Sequence, residues 1–283
     1  MGFRMSAVWA AFRGDLERPV RSGTERNGDD MKIAVLGATG TAGSRVVRRL
    51  KDENVDVVAV SRASGVDLVT GDGLVDALAG VDAVVDASNA LPPNGSMEWG
   101  EALTTATRNV VDACGRRKVS RLVFLSILGA EDPVFDEFPY CVAKREQESI
   151  IGESGLNATI VKTTQWYEFA TNPAAVVFHD DRVEVQDWLV QPVAADTVAD
   201  VLVREALDTS GGGQVLIAGP ERIRLPELAR RRLKTLGDER PVHAIEPDLP
   251  VLAEGALLAW ERAKVMGPGL EEWLASLRRE TTR

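Results

Sequence analysis

The sequence predicts an α/β chain built on a doubly wound parallel sheet, with a small C-terminal lobe. Three observations predict it. From Met31 to residue 165, short β-branched runs alternate with segments of helical period. The runs are almost continuously apolar, as strands covered on both faces must be. A glycine-rich turn separates the first run from the first helix. Crossovers in such sheets are right-handed, which places ligands beyond the carboxyl ends of the strands.

The elements follow in order. Lys32-Ile33-Ala34-Val35-Leu36 is the first strand, and residues 41–52 set Ala42, Val46, Val47 and Leu50 at helical spacing. Residues 56–60 read as a second strand, 67–69 as a short third, 73–79 as a helix and 82–86 as a fourth strand. A long helix is expected over 99–114, a fifth strand over 121–126, a helix over 140–153 and a sixth strand over 158–161. Beyond residue 165 the rhythm loosens into helices over 195–208, 225–236 and 251–264, with a strand at 214–217. Such a tail is too interrupted for a second core. Residues 31–283 are therefore read as one domain, with 165–283 forming a substrate lobe over the strand ends.

Composition narrows the partners. The 283 residues carry 33 basic and 43 acidic side chains, a net charge of −10. A pI near 4.9 excludes a sequence-independent hold on nucleic acid, which needs a basic face. No apolar run reaches the ~18 residues of a membrane span, so no membrane partner is expected. Two cysteines, Cys114 and Cys141, and two histidines, His179 and His243, are too few for a Cys/His zinc site. No metal is expected. Residues 1–30 mix five arginines with Asp15, Glu17, Glu25, Asp29 and Asp30, which suits neither a secretory signal nor a transit peptide. They read as a disordered leader ahead of a cytoplasmic protein whose partner is a small-molecule substrate. The charge is compatible with monomer or dimer alike.

Gly37-Ala38-Thr39-Gly40-Thr41-Ala42-Gly43 joins the first strand to the first helix. Gly37 permits the tight exit, Gly40 lets backbone N–H groups approach a pyrophosphate, and Gly43 removes a side chain where helix meets sheet. Strand before and helix after make this a dinucleotide site, with Thr39, Thr41 and Ala42 among its contacts. The second strand ends Val60-Ser61-Arg62 with no carboxylate to repel a 2′-phosphate. A guanidinium can fork two donors onto that phosphate, so NADP (NADPH) is favoured over NAD. Asn89, just past the fourth strand, is either a further cofactor contact or a turn-former.

Tyr140-Cys141-Val142-Ala143-Lys144 sets a phenol and an ammonium on one helical face. A lysine there favours the phenolate and lowers the tyrosine pKa, and it can also reach ribose hydroxyls. Ser126, ending the fifth strand, would hold a substrate carbonyl against the phenol, with hydride supplied by the nicotinamide.

Gly37-x-x-Gly40-x-x-Gly43, Ser126 and Tyr140-x-x-x-Lys144, in that order, resemble the short-chain dehydrogenase/reductase superfamily. Residues 32–40, Ser126-Ile127-Leu128-Gly129-Ala130, 140–148 and 154–165 resemble its atypical NmrA-like branch, and the likeness weakens beyond residue 230. The resemblance implies a Rossmann-type fold, NAD(P) binding and a small C-terminal substrate lobe. The branch mixes NADPH-dependent reductases, relatives of sugar-nucleotide epimerases, and regulators that bind the cofactor without turnover. Where the branch often has Arg-Pro or Arg-Ala before Thr-Gln, this chain has Lys162-Thr163.

Other residues have two readings each. Trp166, Tyr167 and Phe169 either wall a pocket or pack in the core. Cys141 is a redox-sensitive thiol or a small core residue. His179-Asp180-Asp181 could grip a metal but reads more simply as a charged turn, and Arg230-Arg231-Arg232 as a solvated face. The sequence thus points to an NADPH-dependent reductase of a small carbonyl or quinone. A non-catalytic NADP(H)-sensing regulator and an NAD-dependent sugar-nucleotide epimerase are the alternatives.

Overall fold

The computed structural model describes residues 31–90, 97–259 and 262–281; the expected leader lies outside them. Strands β1 (Lys32–Leu36), β2 (Asp56–Val60), β3 (Ala83–Asp86), β4 (Arg121–Ile127), β5 (Ala158–Thr163), β9 (Gly213–Ala218) and β12 (Lys264–Val265) form one sheet in the order β12-β9-β5-β4-β3-β1-β2. Every pairing in it is parallel. The chain steps from β1 outward to β2, then returns to the other side of β1 for β3. The switch point therefore lies between β1 and β3, the place where sheets of this kind receive a ligand at the carboxyl ends of their strands.

Alternate strand residues feed two cores. Ile33, Val35, Val85, Val123 and Val161 meet helices α1 (Thr41–Asp52) and α5 (Ala195–Leu207). Ala34, Leu36, Val84, Leu122 and Phe124 meet α2 (Leu74–Ala77), α3 (Trp99–Arg117) and α4 (Pro139–Glu153) on the opposite face. Because both faces are covered, these strands show no polar alternation. Arg45, Arg48 and Arg49 of α1 each reach Asp196 of α5 at 2.9 Å, and Arg49 also pairs with Asp200.

The expected strand at 67–69 does not form. Asp67 accepts the N–H groups of Val69 (2.8 Å) and Thr70 (3.2 Å) through its side chain, which folds the backbone into a turn instead. The helix expected over 251–264 is only α7 (Val251–Glu254), ended by Gly255 at φ +93°.

The tail is richer than the sequence reading foresaw. Strands β6 (Val176–Phe178), β7 (Val183–Gln186) and β11 (Val242–Ile245) make a small sheet, and β8 (Leu189–Val190) pairs with β10 (Ile223–Arg224). With α6 (Leu225–Thr235) and α8 (Leu270–Thr281) they enclose a third core around Tyr167, Val183, Val185, Leu228 and Trp273. The ring of Tyr167 stacks on Trp273 at 4.9 Å, and its hydroxyl donates to the Pro268 carbonyl at 3.2 Å. Among the described residues no helix is long and apolar enough to cross a membrane.

Candidate functional site

In the glycine loop the backbone is pressed closer than side chains allow. Gly37 has φ +73°, and a Cβ on it would stand 2.8 Å from both Ala87 O and Ser88 Cα. A Cβ on Gly43 would stand 2.1 Å from Gly37 O, so the start of α1 rests directly on the loop. Gly40 is less confined, its Cβ meeting Gly37 O at 3.3 Å, and its N–H donates to that oxygen at 2.9 Å. It caps α1 with no side-chain bond to the helix, and no acidic residue lies in the first turn. The partial positive charge of that turn is thus unopposed by any side-chain cap or acidic residue of its own. Thr39, Gly40 and Thr41 are exposed there, while Ala42 is buried against the sheet.

At the end of β2, Ser61 is half-buried and Arg62 is exposed at the start of a short 3-10 turn. The turn is closed by Ser64 Oγ, which accepts the Ser61 N–H at 2.9 Å and donates to Ser61 O at 2.7 Å. Asn89 is exposed beyond β3, next to the Ala87-Ser88 backbone that closes on Gly37.

Toward β4 and β5, on the α3/α4 face, lies a row of buried polar groups. Ser126 and Lys162 are register partners, as are Phe124 and Asp86 one step away. Ser126, Lys144, Lys162 and Asp86 are all at most 3% exposed. Ser126 Oγ donates to Glu148 Oε1. The other oxygen of Glu148 receives Lys162 Nζ at 3.1 Å, and Lys162 also reaches Glu131 at 2.9 Å. Lys144 Nζ donates to Leu125 O at 3.1 Å and lies 4.2 Å above the Phe124 ring. Asp86 Oδ1 accepts the Ser88 N–H at 3.0 Å.

Burial sets the titration of this row. It pushes Lys144 down to about 8, against the attraction of Asp86 and Glu148, and it raises the Asp86 carboxyl. Tyr140 is pushed up to about 12, by burial and then by Cys141. The expected lowering of the phenol by Lys144 is thus reversed, because burial dominates its titration, while the Lys144 ammonium donates to Leu125 O. The expected role of Ser126 as donor to a carbonyl meets a similar obstacle. A hydroxyl has one proton, and here Glu148 takes it.

Sequence reasoning missed Glu148 and the buried pairing of Lys162. Both had a signal. Glu148 follows Tyr140 and Lys144 at the next i+4 step, and a lysine within an apolar strand must be paired. The other side chains singled out turn inward. Tyr167 is buried, Phe169 tilts against Trp188 at 5.3 Å, and Trp166 Nε1 donates to Thr163 Oγ1 at 2.9 Å. The Cys141 thiol is buried and pushed up to about 12, which removes the thiolate a redox switch requires. His179 approaches Glu184 at 3.1 Å, and Arg182 joins that carboxylate at 2.9 Å.

A sequence profile described as NAD(P)H-binding matches residues 37–209, from the first glycine of the loop through α5. The chain belongs to this NAD(P)H-binding family. The NAD(P)H-binding fold extends further in space. The structure of MoeE5 in complex with UDP-glucose and NAD is similar at a TM-score of 0.69, covering 89% of this chain and 99% of that one at 21% identity. NADPH-dependent quinone oxidoreductase QOR2 from Escherichia coli, complexed with NADPH, is similar at 0.58, covering 87% and 99% at 19% identity. At these identities the likeness is of fold. Among curated relatives, photosystem II assembly factor Ycf39 of Cyanophora paradoxa is 30% identical over 166 residues, which is 54% of this chain and 51% of the relative. The chain thus spans about half the length of the curated relatives it matches.

Proposed function

We propose that this NAD(P)H-binding protein is a reductase of a small carbonyl or quinone that draws on NADPH. The observation that carries the reading is Tyr140 at the start of α4, one helical turn from Lys144 and held protonated by its surroundings. Bound NADPH supplies hydride. Reduction of a carbonyl creates an alkoxide, a far stronger base than phenolate, so a phenol that keeps its proton up to about pH 12 is suited to donate rather than to abstract. Gly37, Gly40, Gly43, Thr39, Thr41 and Ala42 hold the pyrophosphate, Ser61 and Arg62 the 2′-phosphate, and Asn89 and Lys144 the ribose and nicotinamide half. Ser126 supports the site from beneath through Glu148.

The test has two stages. NADPH and NADH are titrated side by side by calorimetry, with NADPH expected to bind tighter in wild type and the preference expected to vanish in Arg62→Ala. Tyr140→Phe is then expected to keep cofactor affinity and lose about 10²- to 10⁴-fold in the oxidation of NADPH by carbonyls and quinones. Unchanged turnover in Tyr140→Phe removes the assigned role.

A second reading has its own support. The Ser126 proton is committed to Glu148, and a curated relative is named an assembly factor. A cofactor-binding protein that reports redox state to a protein partner needs no free proton donor. A partner captured only with one redox form of the cofactor, without turnover of any carbonyl, selects this reading.

A further inference from the structure

Five ionisable groups alternate in sign along the α3/α4 face of the sheet: Asp86, Lys144, Glu148, Lys162 and Glu131. Their links are Lys144 between the charges of Asp86 and Glu148, and Lys162 clamped by Glu148 at 3.1 Å and Glu131 at 2.9 Å. Three carboxylates face two ammoniums, so the row carries one uncompensated negative charge. Asp86, Lys144 and Lys162 are at most 3% exposed and the Glu148 side chain 12%, which limits screening by solvent, while Glu131 at 36% stands at the rim of the row.

The row's position gives that excess charge a use. Because the strand order reverses between β1 and β3, a dinucleotide seated on Gly37–Gly43 has one half over β2 and the other over β3, β4 and β5. Ser61 and Arg62 mark the β2 side as the adenosine end, and the charged row lies under the opposite end. The nicotinamide ring is cationic when oxidised and neutral when reduced. A fixed negative charge beneath it therefore discriminates between the two states.

We propose that the Asp86–Lys144–Glu148–Lys162–Glu131 row tunes the bound nicotinamide, holding the oxidised, cationic cofactor more tightly than the reduced one. Bound NADPH is thereby a stronger reductant than free NADPH. The inference rests on cofactor binding, which it shares with the proposed function, and not on turnover.

The experiment compares dissociation constants for NADP⁺ and NADPH by calorimetry, repeated with NAD⁺ and NADH. Wild type is expected to bind the oxidised form more tightly, and tighter binding of the reduced form overturns the proposal without any variant. Asp86→Asn and Glu131→Gln each remove a negative charge and are expected to shift the ratio about three- to tenfold toward NADPH. A tenfold shift corresponds to about 30 mV for a two-electron couple. Lys162→Met removes a positive charge and is expected to shift the ratio toward NADP⁺. The double variant Glu148→Gln/Lys162→Met conserves net charge and is expected to leave the ratio as in wild type. Damage to packing weakens both forms alike and does not reverse with the sign of the charge removed. A ratio unmoved in folded Asp86→Asn and Glu131→Gln, or moved in one direction by all single variants, overturns the proposal. Carbonyl reduction with an unmoved ratio leaves the reductase reading standing, whereas a moved ratio without turnover leaves this inference standing.

Discussion

The glycine loop and the charged row occupy neighbouring ends of one sheet but are built by opposite means. The loop is backbone. Gly37 and Gly43 meet main-chain atoms closer than a Cβ permits, and the site exists before any side chain is specified. The row is made of side chains, and its members are tolerated in the interior because other elements bring partners: Glu148 of α4 for Ser126 and Lys162, and Asp86 of β3 with the Leu125 carbonyl for Lys144. A backbone site is rigid and fails abruptly. A side-chain site can be tuned one charge at a time.

That contrast predicts unequal sensitivity, and the largest effect belongs to the loop. Gly43→Val forces a side chain into Gly37 O, so α1 must lift from the sheet. Cofactor affinity is expected to fall at least about a hundredfold, roughly 3 kcal/mol, with a lowered thermal midpoint. Calorimetry beside a melting curve reads both, and normal binding would refute the close-approach argument. The row gives a graded response to pH. Lys144 is charged below about pH 8 and neutral above it, so a ribose or phosphate contact that needs the ammonium weakens as pH rises through that value. NADPH affinity is expected to decline above pH 8 in wild type and to stay flat there in Lys144→Met. The smallest effect returns to the loop, where a Cβ on Gly40 meets Gly37 O at 3.3 Å, a tight contact relieved by a shift of a few tenths of an ångström rather than by lifting a helix. Gly40→Ala is expected to leave the thermal midpoint near that of wild type and to weaken cofactor binding through the pyrophosphate contact alone, by less than Gly43→Val does. A loss as large as that of Gly43→Val would mean that the whole loop, and not the helix–strand contact, sets the geometry.

The same contrast explains what could be read from the sequence. β1, its glycine turn and α1 are contiguous, and their constraints are local, so spacing alone reveals them. The row joins residues whose separation in sequence hides their contact: Glu148 with Ser126, Glu131 with Lys162. The residue types were visible, but the pairing was not. The lobe shows both cases. Leu270, Trp273, Leu274 and Leu277 fall at i, i+3, i+4 and i+7, a helical signal for α8 that the sequence reading left unused. By contrast, β7 and β11 are short strands paired across a long stretch of chain, and neither period nor flanking turns connect them. Asp67 is a third kind of miss, where a side chain capturing two N–H groups outweighs a β-branched neighbour.

The stack of Tyr167 on Trp273 has a consequence for how the chain is made. Strands β1 to β5 can pair with one another as soon as residue 163 leaves the ribosome, with only the outer edge of β5 left waiting for β9. Tyr167 follows immediately, yet its hydroxyl must wait for Pro268, 101 residues later, and its ring for Trp273 beyond that. During that interval the apolar face of the nascent lobe has no lid, which makes it the segment most exposed to chaperones and to misassociation. Helix α8 is the element that seals it.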